Sequence, residues 1–145
     1  MNNAIVWNQY GHGSARVLVV DDEPTTAAAL LHVLAGMGCD VVVALHGEDA
    51  IDLLKSEHFN LFIMDWMMPK MDGHGLLEML GGLHQVNAPM HRRIIRMPLI
   101  IHTGLDQSEL KLPKNRDAFN LLGILRKPSR LPELAKLVSK ALGEK

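Results

Sequence analysis

The sequence predicts an α/β fold in which a doubly wound parallel sheet is covered by helices on both faces. One observation is an alternation along the chain, in which short apolar runs are followed by stretches with helical spacing. Another is that runs such as RVLVV at 16–20 are apolar at consecutive positions, which is typical of strands buried on both faces. Helical crossovers between neighbouring strands make those strands parallel, so the two observations together define the class.

Five strands and four helices account for the alternation. The predicted strands are 16–20, 40–45, 60–65, 97–103 and 123–127. The first helix opens at Pro24, whose missing N–H is not needed in a first turn, and closes at Gly36 or Gly38. The remaining predicted helices are 47–57, 73–80 and an amphipathic helix at 131–142.

The segments outside this alternation are less regular. Residues 1–15 are polar and contain glycine, so we expect a loose, flexible N-terminal arm before a domain at 16–142 and a short tail at 143–145. A glycine pair and a proline in 81–96 predict that the third helix stops early and that a long connection follows. Pro113 is expected to break or shorten any helix between the fourth and fifth strands.

Composition narrows the class of protein. The 145 residues are 48% apolar and 21% charged, which fits one folded domain in water. A formal net charge of −1 offers no field for holding nucleic acid or an anionic membrane. The single Cys39 cannot form an intramolecular disulfide, and no apolar run is long enough to span a membrane, so we expect a cytoplasmic protein.

Polar side chains follow four of the predicted strands. Asp21 and Asp22 end the first strand, Asp65 the third, Thr103 the fourth and Lys127 the fifth. The carboxyl ends of parallel strands share one edge of the sheet, and the first and third strands are neighbours if the switch in strand order lies between them. The sequence therefore predicts that three carboxylates, a hydroxyl and an ammonium group meet at this edge.

Such a cluster needs a cation or bound protons, and a hard divalent cation is the natural choice. Two carboxylates about 4 Å apart repel by roughly 4 kcal/mol at a protein-like dielectric constant, and Mg²⁺ prefers oxygen ligands of this kind together with phosphate oxygens. Asp65 is then a candidate nucleophile that forms an aspartyl phosphate, with Lys127 balancing the charge on the phosphoryl oxygens and Thr103 donating a hydrogen bond.

Four motifs that carry these residues resemble the receiver domain of bacterial two-component response regulators: VLVVDDEP, LFIMDWMMPKMDG, IIHTG and LRKP. They occur in the family's order and cover about 16–142. The resemblance implies a five-stranded, flavodoxin-like sheet with strand order 2-1-3-4-5. It also implies that Asp65 accepts a phosphoryl group from a sensor histidine kinase or a histidine phosphotransfer protein.

The resemblance also implies roles for the other site residues. Mg²⁺ is expected on Asp22, Asp65 and the backbone carbonyl of Met67, with Asp21 assisting through water. Thr103 is similar to the family's switch hydroxyl, and Lys127 to the lysine that contacts the phosphoryl group.

Three further positions match the family's loops. Pro128 is similar to the cis-linked proline that follows the lysine. Pro69 and Gly73 are similar to the turn that follows the acceptor.

Three features depart from the family pattern. Ile124 stands where receivers often have an aromatic switch residue, so the usual coupling to Thr103 is not expected. The 81–96 segment makes the chain between Asp65 and Thr103 longer than is common, which suggests a partner-specific insertion. Pro113 alters the helix region that receivers often use for dimerisation or output.

Other functions remain open at the level of sequence. A haloacid dehalogenase-type phosphatase also uses an aspartyl phosphate but carries a second Asp two residues after the nucleophile, where this chain has Met67. We therefore expect a phosphoacceptor rather than an enzyme that turns over an external substrate. A phosphorylation-independent pseudo-receiver scaffold is the alternative. Because the chain ends after the last predicted helix, output is expected through a downstream protein target or a domain absent from this chain, without direct nucleic-acid binding.

Overall fold

The computed structural model of the protein describes residues 4–7, 15–86, 97–114 and 116–143, with the backbone alone for 4–7 and 83–86. The strands are β1 Ala4–Trp7, β2 Arg16–Val20, β3 Asp40–Ala44, β4 Leu61–Met64, β5 Met97–Thr103 and β6 Phe119–Arg126. The helices are α1 Pro24–Gly36, α2 Gly47–Ser56, α3 Gly73–Val86 and α4 Leu131–Ala141, with a 3₁₀ turn at Gln107–Glu109.

The strands form one sheet in the order β1-β3-β2-β4-β5-β6. From β3 to β6 all neighbours are parallel, so the five parallel strands have the predicted order 2-1-3-4-5. β2 lies between β3 and β4, which places the switch in strand order between β2 and β4. Val20 at the end of β2 lies opposite Met64 at the end of β4, so the residues that follow both strands emerge side by side.

The sheet is buried on both faces, which explains the consecutive apolar residues of its strands. Alternate residues pack on opposite sides: Leu18 and Phe62 belong to one buried cluster, while Val17 and Ile63 belong to the other. The first cluster includes buried leucines of α2 and α3, and the second includes those of α1 and α4. No helix in the described ranges is long and apolar enough to cross a bilayer.

The N-terminal arm differs from the prediction. Residues Ala4–Trp7 form a sixth strand, which pairs antiparallel with β3, so the expectation of a loose arm is wrong for this segment. Four apolar residues are too few to establish a strand period, and their partner strand begins more than thirty residues later in the chain. The rest of the predicted arm, residues 1–3 and 8–14, lies outside the described residues.

The third helix is longer than predicted. It continues through Gly81 and Gly82 to Val86 instead of stopping near residue 80. Each interior glycine costs a helix only about 1 kcal/mol, which buried packing can offset, and Leu76, Leu77 and Leu80 of this helix are fully buried. The predicted long connection therefore begins later, and its part at 87–96 lies outside the described residues.

The segment between β5 and β6 behaves as Pro113 predicts. The 3₁₀ turn at Gln107–Glu109 is the single helical element within 104–114 and 116–118. β6 then begins at Phe119, four residues before the predicted strand, and its pairing with β5 shifts between Leu99 and Ile100.

Candidate functional site

Backbone hydrogen bonds extend the sheet by one residue beyond the ends of β2, β4 and β6. The Asp21 N–H donates to the Ala44 carbonyl at 3.1 Å, and the Asp65 N–H donates to the Val20 carbonyl at 2.9 Å. The Lys127 N–H donates to the Thr103 carbonyl at 2.7 Å. The side chains predicted to form the site are therefore held at the carboxyl edge of the sheet by the backbone itself.

Lys127 bridges two of the carboxylates. Its Nζ lies 2.9 Å from Asp21 Oδ2 and 3.0 Å from Asp65 Oδ2. Asp21 is 1% exposed and Asp65 is 6% exposed, whereas the Lys127 side chain is 20% exposed. These are partly buried charge-assisted hydrogen bonds, which are stronger than exposed ion pairs.

The second oxygen of each bridged carboxylate is also held. The Glu23 N–H donates to Asp21 Oδ1 at 2.9 Å, and the Met67 N–H donates to Asp65 Oδ1 at 3.2 Å. Both carboxylates are therefore oriented by a backbone donor on one side and by an ammonium group on the other. The Met67 side chain itself is 59% exposed at the rim of the site.

Asp22 completes an acidic cluster. One oxygen from each of Asp21, Asp22 and Asp65 can be chosen so that all three lie within 4.8 Å of one another. Asp22 is half-buried, and its carboxylate has no hydrogen bond or ion pair within the described chain. One ammonium group cannot neutralise three carboxylates, and this all-oxygen donor set fits a hard divalent cation such as Mg²⁺.

The pKa values of Asp21 and Lys127 are both raised, for different physical reasons. Burial raises the pKa of Asp21, although the Glu23 N–H and Lys127 both favour its charged form. Burial acts to lower the pKa of Lys127, but its hydrogen bonds to Asp21 and Asp65 and the charges of those two carboxylates together outweigh burial, so the Lys127 pKa is raised. The lysine therefore stays an ammonium group.

Thr103 is fully buried at the end of β5, where its Oγ1 accepts a hydrogen bond from the Leu105 N–H at 3.4 Å. Ile124 pairs with Ile101 in the sheet and packs against the core cluster beneath α2 and α3. Its side chain has no polar group, so it cannot form a hydrogen bond with Thr103.

The loop after Asp65 makes a close turn. The Gly73 N–H donates to the Trp66 carbonyl at 2.8 Å, and a Cβ at Gly73 would lie 2.5 Å from Trp66 Cε3. Only glycine allows this approach, which brings the start of α3 against the buried Trp66 ring. The Lys127–Pro128 peptide is cis, as the resemblance implies.

Sequence reasoning did not identify a second polar pair beside the site. His102 Nε2 lies 2.9 Å from Ser129 Oγ, and His102 is only 5% exposed. The period of a strand predicts that His102 and Thr103 point to opposite faces of the sheet. The contact with Ser129 depends on the path of the chain after Lys127, which no local pattern reveals.

Comparison with known proteins agrees with this geometry. The family model of the response regulator receiver domain matches residues 17–139. An uncharacterized 14.6 kDa protein of Leptolyngbya boryana is 34% identical over 122 residues, which cover 84% of this chain and 86% of that protein. The receiver domain of the Francisella response regulator 1452 superposes with a TM-score of 0.70 at 28% identity, covering 90% of this chain and 98% of that one.

A longer relative matches over part of its length. The probable transcriptional regulator ycf27 of Porphyridium aerugineum is 43% identical over 65 residues, covering 45% of this chain and 27% of that protein. The aligned region is thus about a quarter of the ycf27 protein.

The fold, the residues at the strand ends and the family match together define the class: this chain belongs to the response regulator receiver domain family. Receiver domains of this family act in two-component systems, where they interact with histidine kinases and downstream effectors. They generally bind Mg²⁺ at an acidic pocket, and this chain has a cluster of Asp residues at the corresponding edge of its sheet.

Proposed function

We propose that this receiver accepts a phosphoryl group on Asp65 in a Mg²⁺-dependent reaction and signals through the conformational change that follows. The donor is a histidine kinase or a histidine phosphotransfer protein, and the output is contact with a downstream protein or an output domain. The observation that carries the proposal is the position of the Asp65 carboxylate, which lies 3.0 Å from Lys127 Nζ within a cluster of three carboxylates.

The reaction requires positioning and charge balance more than proton transfer. An Asp65 carboxylate oxygen forms a bond to phosphorus while the P–N bond to the donor imidazole breaks, and the imidazole nitrogen keeps the electron pair. The Met67 N–H orients the carboxylate. Lys127 Nζ lies close enough to neutralise charge on the phosphoryl oxygens, and Thr103 supplies a hydroxyl at the end of the neighbouring strand.

A bound Mg²⁺ supplies the positive charge that Lys127 alone cannot. Asp22 and Asp65 are the proposed direct ligands, together with the Met67 backbone carbonyl, and Asp21 acts through water. The free carboxylate of Asp22 within the described chain supports this assignment. Burial of Asp21 and Asp65 strengthens their interaction with a cation, because water screens it less.

The proposed role is that of a phosphoacceptor rather than an enzyme with an external substrate. Met67 occupies the position where a phosphatase of the alternative class carries a second Asp, and its side chain is a thioether that cannot transfer protons. We place the protein in the cytoplasm, where histidine kinases present their phosphoryl groups.

Intact-mass spectrometry after incubation with acetyl phosphate and Mg²⁺ tests the proposal. The wild-type chain and Asp52→Asn, a change at an exposed position of α2, should each take up one phosphoryl group. Asp65→Asn and a metal-stripped sample should take up none. Stoichiometric uptake by Asp65→Asn would exclude Asp65 as the acceptor.

A pseudo-receiver scaffold is the second candidate, and the apolar Ile124 beside the end of β5 favours it. A scaffold of this kind binds its partner without phosphorylation. If neither acetyl phosphate nor phosphohistidine donors label a folded, Mg²⁺-binding wild-type protein, the scaffold becomes the better account.

A further inference from the structure

We propose that His102 is a positioning residue for Lys127, which it holds in place through its hydrogen bond to Ser129. The inference rests on the proposed phosphoryl transfer, because Lys127 is the group whose position that reaction needs. It assigns a role to a partly buried polar pair, in which the His102 side chain leaves β5 on the face opposite to Thr103.

The protonation of His102 follows from its contacts. Nε2 lies 2.9 Å from Ser129 Oγ, whereas Nδ1 is buried and has no partner within the described residues. A buried N–H without an acceptor is rarer in folded proteins than an unsatisfied acceptor, so we assign the proton to Nε2. His102 therefore donates to the Ser129 hydroxyl oxygen.

Two hydrogen bonds tie the segment after β6 to the end of β5. One joins the Lys127 N–H to the Thr103 carbonyl at 2.7 Å, and the other joins His102 to Ser129 at 2.9 Å. They attach the chain at Lys127 and two residues beyond it. Lys127 has a flexible four-carbon side chain, so a chain held at Lys127 itself and again two residues later restricts where its Nζ can lie.

Packing on the outer side of this segment is weak. His102, Lys127 and Ser129 line a groove of about 540 Å³ between α1 and α4. Leu131, on the rim of that groove, is 56% exposed. Little side-chain packing supports residues 127–129 from this side. Their position therefore depends more on the hydrogen bond to His102 than it would in a fully packed segment.

Lys127 Nζ has to be placed accurately, because it contacts two carboxylates at once. Lys127 contacts Asp21 at 2.9 Å and Asp65 at 3.0 Å at the same time. A displacement of about 1 Å in a reacting or stabilising group can slow an enzymatic reaction by as much as 100-fold. Loosening the turn at Ser129 should therefore slow phosphoryl uptake even though His102 does not touch the phosphoryl group.

The test compares variants by their rate of phosphoryl uptake from acetyl phosphate at saturating Mg²⁺. His102→Leu removes the donor, and Ser129→Ala removes its acceptor. Each should slow uptake by about 5- to 10-fold, the effect expected from one lost hydrogen bond. His102→Gln places an amide N–H near the position of Nε2 and should restore a rate close to that of the wild type.

A double-mutant cycle separates positioning of Lys127 from a general structural effect. In a Lys127→Ala background, His102→Leu should cause no further slowing, because the group that it positions is absent. Equal slowing in both backgrounds, or no slowing in either, would overturn the proposal. Thermal unfolding of each variant establishes that it is folded.

Crystal structures of His102→Leu and His102→Gln test the inference without phosphorylation. The contact between Lys127 Nζ and Asp65 should be lost in the first variant and kept in the second, and an unchanged contact in His102→Leu would refute the positioning role. If the wild-type protein takes up no phosphoryl group, the proposed function fails, and this comparison still decides whether His102 positions Lys127.

Discussion

Two histidines of the described chain have pKa values displaced in opposite directions. Burial lowers the pKa of His102 from 6.5, and the nearby Lys127 charge adds to the effect. A hydrogen bond to the Lys111 carbonyl raises the pKa of His74 from the same value, with support from Glu78. One residue resists protonation in the folded protein, and the other favours it.

The two residues therefore make opposite contributions to the pH dependence of stability. Below pH 6.5 the unfolded chain binds a proton at His102 more readily than the folded one, so stability falls as the pH falls through the folded pKa. His74 contributes stability below pH 6.5 that is lost as the pH rises through its raised pKa. The two pH ranges in which these residues change the stability lie on opposite sides of pH 6.5, the ordinary histidine pKa.

We predict that His102→Gln reduces the loss of unfolding free energy as the pH falls below 6.5, because the glutamine does not titrate. Urea unfolding at several pH values measures this slope. His74→Gln is the matched control: it should remove a decline above pH 6.5 and leave the His102 contribution in place. An unchanged acid-side slope in His102→Gln would mean that His102 does not resist protonation.

At the scale of elements, β1 adds a strand to one edge of the parallel sheet. It pairs antiparallel with β3 from Ala4 opposite Ala44 to Trp7 opposite Val41. An open strand edge presents unpaired N–H and C=O groups that other chains can join, and β1 covers the edge that β3 would otherwise present. The backbone of the N-terminal segment thus continues the sheet.

Adjacent proline substitutions test whether this pairing stabilises the fold. In an antiparallel pair, the N–H groups of successive residues point alternately toward the partner strand and away from it. We therefore predict that one of Ile5→Pro and Val6→Pro lowers the unfolding free energy by about 1 kcal/mol or more, while the other has a smaller effect. Denaturant unfolding measures both, each serving as the control for the other. Stability equal to the wild type in both variants would show that β1 contributes little.

At the scale of the whole molecule, three strands from distant parts of the sequence bring the acidic cluster and Lys127 together. Asp21 and Lys127 are separated by 106 positions in the chain yet lie in direct contact. The site therefore exists only in the folded state. A ligand that binds it must shift the folding equilibrium of the entire domain.

We predict that Mg²⁺ stabilises the protein against unfolding. At a free concentration 100 times its dissociation constant, a ligand that binds only the folded state adds about 2.7 kcal/mol. Asp22→Asn should sharply reduce the gain because it removes a proposed direct ligand, whereas Asp52→Asn, at an exposed position of α2 outside the cluster, should preserve it. Thermal unfolding in Mg²⁺ and in a chelator measures the difference. Equal melting temperatures in the two buffers would argue against the cation site.

Much of the fold and of the candidate site could be predicted because the signals are local. Consecutive apolar residues such as those at 16–20 and 61–64 indicate buried strands by their neighbours alone. The polar residues that follow each strand share one edge in any parallel sheet, so the meeting of Asp21, Asp65 and Lys127 could be expected before its distances were known. The sequence by itself thus determined the class of fold, the strand order through the family resemblance, and the members of the acidic cluster.

The tertiary structure alone decided the features that depend on partners far apart in the chain. The strand at Ala4–Trp7 needs the edge of β3, and the continuation of α3 past Gly81 accompanies a buried face whose leucines pack against the sheet and its neighbours. The hydrogen bond between His102 and Ser129 needs the path of the backbone after Lys127. Local sequence patterns carry no information about such contacts, because their free energy arises only when separate segments are brought together in the folded protein.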